Sequence, residues 1–139
     1  MKSLCVFCKI VRGEIPCYKV YEDEEYMAFL DTAPAVKGHT LLIPKKHYRW
    51  IYDVPKFDEY WMRVLKITRA MQKTLNPVYV NYYTYGAVPH AHIHILPRMT
   101  EVGTSNVRGE LDIIPPEIPK KQISEEEMKE ISGKIRERV

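Results

Sequence analysis

The chain has 139 residues, of which 45% are hydrophobic and 28% charged. That balance suits one globular domain and excludes a disordered tail, a collagen-like repeat and a membrane span; apolar stretches such as 40–44 are strand-sized against the ~20 residues a bilayer requires. The net charge of +3, from 21 basic and 18 acidic residues, favours a small anionic ligand over nucleic acid, because the cations are scattered in pairs such as Lys45-Lys46 and Lys120-Lys121 and form no clustered stripe.

Met1-Lys2-Ser3-Leu4-Cys5 runs into charged sequence without the apolar core of a signal peptide, so the expected compartment is the cytoplasm. Cys5 and Cys8 form Cys-x-x-Cys, and Cys17 stands apart. A redox motif of the thioredoxin kind needs a strand before it, and only four residues precede Cys5, which makes metal the better functional reading. Cys17 reads as a small, partly buried hydrophobe. Phe7, Ile10 and Val11 have helical spacing and predict a short helix ending near Gly13 and Pro16. Residues 19–22 and 26–31 predict two strands joined by the acidic turn Asp23-Glu24-Glu25, and residues 40–44 a third.

The clearest helix is expected from Asp53-Val54-Pro55 to about Leu75, with Asp53 as N-cap and Asn76-Pro77 as stop. Phe57, Tyr60, Trp61, Val64, Leu65, Met71 and Leu75 give it one apolar face. Residues 78–83 predict a fourth strand and His90–Leu96 a fifth, bracketed by Pro89 and Pro97. Residues 99–123 are rich in glycine and proline and read as a loose arm. Ser124 and Glu127 then open a capping box, ahead of an amphipathic helix marked by Met128, Ile131 and Ile135. The expected class is α+β: an antiparallel sheet of about five strands with a long helix, plus a C-terminal arm and helix.

Three of the five histidines fall in His90-Ala91-His92-Ile93-His94-Ile95-Leu96. On a strand, side chains alternate, so His90, His92 and His94 share one face. A row of imidazoles on a half-buried strand is costly unless they hydrogen-bond, bind metal or meet an anion.

This run resembles the signature of the histidine triad (HIT) superfamily of nucleotide hydrolases and transferases. Cys5–Ile10, Gly13-Glu14-Ile15-Pro16, Ala28-Phe29-Leu30-Asp31 and Gly38–His47 resemble further blocks of that family, in its order. The resemblance implies a HIT domain over 1–98, with 99–139 an extension packed on or near it, and a homodimer. It implies that His92 is the nucleophile, forming a nucleotidyl-histidine that water resolves, and that a backbone carbonyl holds its tautomer. His94 becomes a donor to the phosphate oxygens. His39 resembles the outlying histidine beside them, or is simply a satisfied structural histidine. Asp31 matches the carboxylate that takes the ribose hydroxyls, and Asn81 a polar residue facing the phosphates. Phe7, Ile10 and Phe29 are candidates for the apolar slot around the base and are equally at home as core.

Cys5, Cys8, His47 and His90 match the ligand set of zinc-bearing members, a closed structural site of two thiolates and two imidazoles. Two features depart from the family. Gly86 stands where many members have glutamine, and the aromatic run Tyr82, Tyr83, Tyr85 either packs in the strand or crowds the phosphate end. The expected activity is cleavage of a phosphoanhydride or phosphoramidate bond at the α-phosphate of a purine nucleotide, with family frequency favouring adenosine. The competing readings are a nucleotidyl transferase or phosphorylase, and a zinc-stabilised nucleotide-binding protein with little turnover.

Overall fold

The structure is a computed structural model that describes residues 4–99 and 124–136. It contains, in order, α1 (Val6–Val11), β1 (Lys19–Glu22), β2 (Tyr26–Leu30), β3 (Thr40–Pro44), a 3-10 turn (Ile51–Asp53), α2 (Phe57–Thr74), β4 (Tyr79–Tyr83), β5 (Ile93–Arg98) and α3 (Glu125–Arg136). The five strands form one antiparallel sheet in the order β1-β2-β3-β5-β4. The expected α+β class and strand number are therefore observed.

Strand alternation divides the core in two. Tyr26 and Ala28 of β2, Leu42 of β3 and Ile93 and Ile95 of β5 pack with Tyr60, Val64, Ile67 and Met71 of α2. Met27, Phe29, Leu41 and Ile43 point the other way, against Phe7, Cys8 and Ile10 of α1. The long helix thus supports the sheet from behind and leaves the front for α1 and the site.

Several local expectations need correction. Asp53 does not cap α2: it closes the 3-10 turn, and Val54 stays extended as the residue before Pro55 must. The chain reverses through left-handed Lys56 (φ 55°), and the helix begins at Phe57. Only part of the predicted apolar face is buried. Phe57 and Leu65 are exposed, while Ile67 and Thr68 are buried in their place. The stop is as expected, with Asn76 taking the left-handed conformation (φ 49°) that ends helices.

Strand β5 is shifted two to three residues from the predicted span. His90, Ala91 and His92 precede it, and Pro97 lies inside it. Proline is tolerated there because β3 registers with β5 only as far as Thr40↔Ile95. At the C-terminal end, Glu127 N–H donates to Ser124 Oγ at 3.2 Å, the forward half of the predicted capping box. The arm predicted over 99–123 lies outside the described residues, apart from Met99.

Gly38 sets the loop that leads into β3. Its φ is +90°, and a Cβ there would lie 2.9 Å from Leu75 Cδ1 and 3.0 Å from Pro97 Cγ. Gly38→Ala should therefore combine backbone strain with overpacking and cost about 2 kcal/mol. Thermal denaturation should show a fall in Tm of several degrees; an unchanged Tm would mean that the loop relaxes freely.

Candidate active site

Histidines occupy both ends of the front face. At one end, Cys5 is the N-cap of α1, its sulfur accepting from the Cys8 N–H at 3.4 Å. The Cys-x-x-Cys spacing thereby turns both sulfurs to the same side of one helical turn. His90 Nδ1 lies 3.3 Å from Cys5 Sγ, 3.5 Å from Cys8 Sγ and 3.1 Å from His47 Nδ1, and Cys8 Sγ is 3.3 Å from His47 Nδ1. All four donor atoms lie within 4.8 Å of one another. Zinc bond lengths of about 2.3 Å to sulfur and 2.0 Å to nitrogen place tetrahedral donors roughly 3.3–3.8 Å apart, so this set fits a zinc ion. His90 Nε2–H donates to the Pro44 carbonyl at 2.9 Å, which directs the Nδ1 lone pair at the sulfurs and supplies the outer support such ligands have. Burial pushes the His90 pKa down to about 4, although the Pro44 bond opposes the shift.

Two residues further on, His92 Nδ1–H donates to the His90 carbonyl at 2.8 Å. A neutral ring with its proton on Nδ1 carries its lone pair on Nε2. His92 is 3% exposed, and burial keeps its pKa below the usual histidine range despite the backbone bond and Asp31. Phe7 meets its ring edge-on at 5.3 Å.

The third pair is fixed by a chain of donors. The Ala35 N–H donates to His39 Nδ1 at 3.0 Å, so the proton of neutral His39 is on Nε2. That Nε2–H lies 2.8 Å from His94 Nδ1 and donates to it, which leaves His94 with its proton on Nε2. His94 Nε2 is buried and makes no hydrogen bond to the protein. Burial, then His92 and His39, push the His94 pKa down to about 3, so the ring is neutral and its orphaned N–H is a donor awaiting an acceptor. Asp31 Oδ1 accepts from the Ala33 N–H at 2.9 Å, and its Oδ2 is 3.6 Å from His39 Nε2.

His39, His92, His94 and Asp31 line a cavity of about 580 Å³, a size suited to a small ligand. Its far wall includes Phe7, Ile10, Ile15, Cys17 and Phe29. Phe7, Ile10 and Phe29 are therefore core and slot at once, their rings and methyls packed behind and open in front. Asn81 does not line this cavity. It lies on the same strand as Tyr83, and its Oδ1 is buried without a partner. The aromatic run divides: Tyr82 OH bonds Thr68 Oγ1 at 2.6 Å on the α2 side, whereas Tyr83 and Tyr85 line the cavity. Strand alternation from Asn81 was the signal for Tyr83. Gly86 lies close to Trp50: a Cβ there would be 3.0 Å from the indole Cζ3, so a glutamine would have to shift the ring by a few tenths of an ångström.

A row of buried histidines beside an apolar slot and a carboxylate is the arrangement of a histidine-triad protein, and the HIT domain model matches residues 12–101. The chain belongs to the HIT family. It is 37% identical, over 95% of its length and 98% of the relative's, to the adenosine 5'-monophosphoramidase of Schizosaccharomyces pombe. Among solved structures, a HIT family member from Bacillus subtilis superposes with a TM-score of 0.77 at 34% identity, covering 98% of this chain and 97% of that one. A zinc-bound histidine triad protein from Mycobacterium smegmatis superposes with a TM-score of 0.64 at 34% identity, covering 74% and 79%.

Proposed function

We propose that this protein is a nucleoside phosphoramidase that cleaves the P–N bond at the α-phosphate of a purine nucleotide, with adenosine as the base. The observation that carries the reading is the pairing of two neutral imidazoles of opposite tautomer in one cavity. His92 offers a bare Nε2, and His94 offers a buried Nε2–H without a partner. His92 Nε2 attacks phosphorus, the P–N bond breaks, and the amine leaves with a proton from solvent. His94 Nε2–H stabilises the charge gathering on the phosphoryl oxygen. Water then attacks phosphorus, the P–Nε2 bond breaks, and the nucleoside monophosphate departs. Asp31 takes the ribose hydroxyls, and Phe7, Ile10 and Phe29 enclose the base. Asn81, which does not line the cavity, has no role in this account.

The charge of the cavity favours this class over dinucleoside polyphosphates. Among the described residues, its lining holds no lysine or arginine, and it holds one carboxylate and three neutral histidines. A phosphoramidate brings one negative charge to that wall, whereas a polyphosphate chain brings several without a cation to meet them. Steady-state rates with adenosine phosphoramidate and with diadenosine polyphosphates test this. The phosphoramidate should be preferred in kcat/KM by at least about 100-fold, and equal or reversed preference would sink the assignment. Adding inorganic phosphate should leave AMP as the product; formation of ADP would instead show a phosphorylase.

A structural zinc held by Cys5, Cys8, His47 and His90 belongs to the same proposal. Its part is to tie α1 to the segment that aims His92. The proposed homodimer would use apolar side chains that α2 leaves exposed, Phe57, Met62 and Leu65. The proposed compartment is the cytoplasm; among the described residues no helix is long and apolar enough to cross a membrane.

A further inference from the structure

The geometry points to Tyr83 as a positioning residue whose ring, stacked on His94, keeps the His94 Nε2–H aimed at the substrate's phosphoryl oxygens. Tyr83 and His94 are directly opposite in the β4–β5 register. Their rings lie face to face, with centroids 4.3 Å apart and planes within 15°. Tyr85 buttresses this stack edge-on, 5.6 Å from Tyr83 and 6.2 Å from His94.

The stack is needed because one hydrogen bond does not fix a ring. The bond from His39 restrains Nδ1 through one soft contact, which still permits limited rotation about the Cα–Cβ and Cβ–Cγ bonds. His92 touches His94 with its rings at 65°, a contact that limits approach without setting the plane. Tyr83 supplies the flat surface that does. A donor that must meet charge developing in the transition state is effective only when its direction is set beforehand. The phenol ring does this through its face, so the hydroxyl is dispensable.

The inference rests on the reading of His94 as phosphate donor. The test is single-turnover and steady-state kinetics on the full chain with adenosine phosphoramidate, for Tyr83→Phe, Tyr83→Leu and Tyr83→Thr, with His94→Ala in parallel. Leucine and threonine both suit an edge strand, so at least one of the two should fold; thermal melts check this. Tyr83→Phe should retain the wild-type rate within about 3-fold, while Leu and Thr lower kcat on the order of 10- to 100-fold with KM little changed. Equal damage from Phe and Leu would overturn the proposal, as would a raised KM at unchanged kcat. A slow His94→Ala beside a wild-type rate in folded Tyr83→Leu would overturn the role of Tyr83 alone. A wild-type rate in His94→Ala would overturn the phosphate-donor reading beneath it.

Discussion

His92→Asn should abolish turnover, lowering kcat by at least about 10³-fold, while nucleotide affinity, metal content and Tm stay near wild type. The asparagine amide can sit where Nδ1 sits and still donate to the His90 carbonyl, the bond that holds His92 at 2.8 Å. What it lacks is Nε2, the atom used only along the reaction path. An interaction made only there affects kcat and leaves ground-state binding alone. Turnover within 10-fold of wild type would remove His92 from the mechanism.

The neighbouring histidine should behave in the opposite way. His90→Ala should lose metal and stability together and lower Tm by roughly 10 °C or more. The His90 ring is fully buried, with Nδ1 among two sulfurs and His47 and Nε2 on the Pro44 carbonyl. Its removal opens the donor set and strands a buried carbonyl. Cys5 is both a donor and the N-cap of α1, so the loss spreads to Phe7, which walls His92. Activity should then fall as a consequence of a displaced nucleophile. A strong chelator applied to the wild type should lower Tm in the same direction. Full zinc content in the His90 variant, by metal analysis, would remove His90 from the ligand set.

The parts of this molecule that were legible in the sequence are those governed by local periodicity and by fixed spacing. Strands β1 and β3 lie over the residues predicted for them, β3 as a short apolar run buried on both faces and β1 as a largely exposed edge strand ahead of the acidic turn. The Cys-x-x-Cys turn places its sulfurs through helix geometry alone, whereas of the three clustered histidines only His94 lies inside β5. Tertiary context decided the rest. Asp53 is a good N-cap residue by type, yet Pro55 holds Val54 extended and moves the helix start beyond it. Pro97 ends a strand by local rules, and it stays inside β5 because β3 has already ended beside it. The tautomer order from Ala35 through His39 to His94 needs both a local loop contact and the pairing of β3 with β5, which joins residues 55 apart in sequence and which no spacing encodes. Likewise Gly86 is unremarkable until Trp50 fills the space beside it.

The central claim is a covalent nucleotidyl-His92 formed by P–N cleavage. Its most direct test is rapid-quench intact-mass spectrometry of the wild-type chain mixed with adenosine phosphoramidate, followed by peptide mapping. The account predicts a transient gain of one AMP moiety, located on His92, formed no more slowly than the amine is released and lost again as free AMP appears. Turnover with no adduct detected at any quench time, or an adduct mapped to His39, His94 or Cys17, would contradict it.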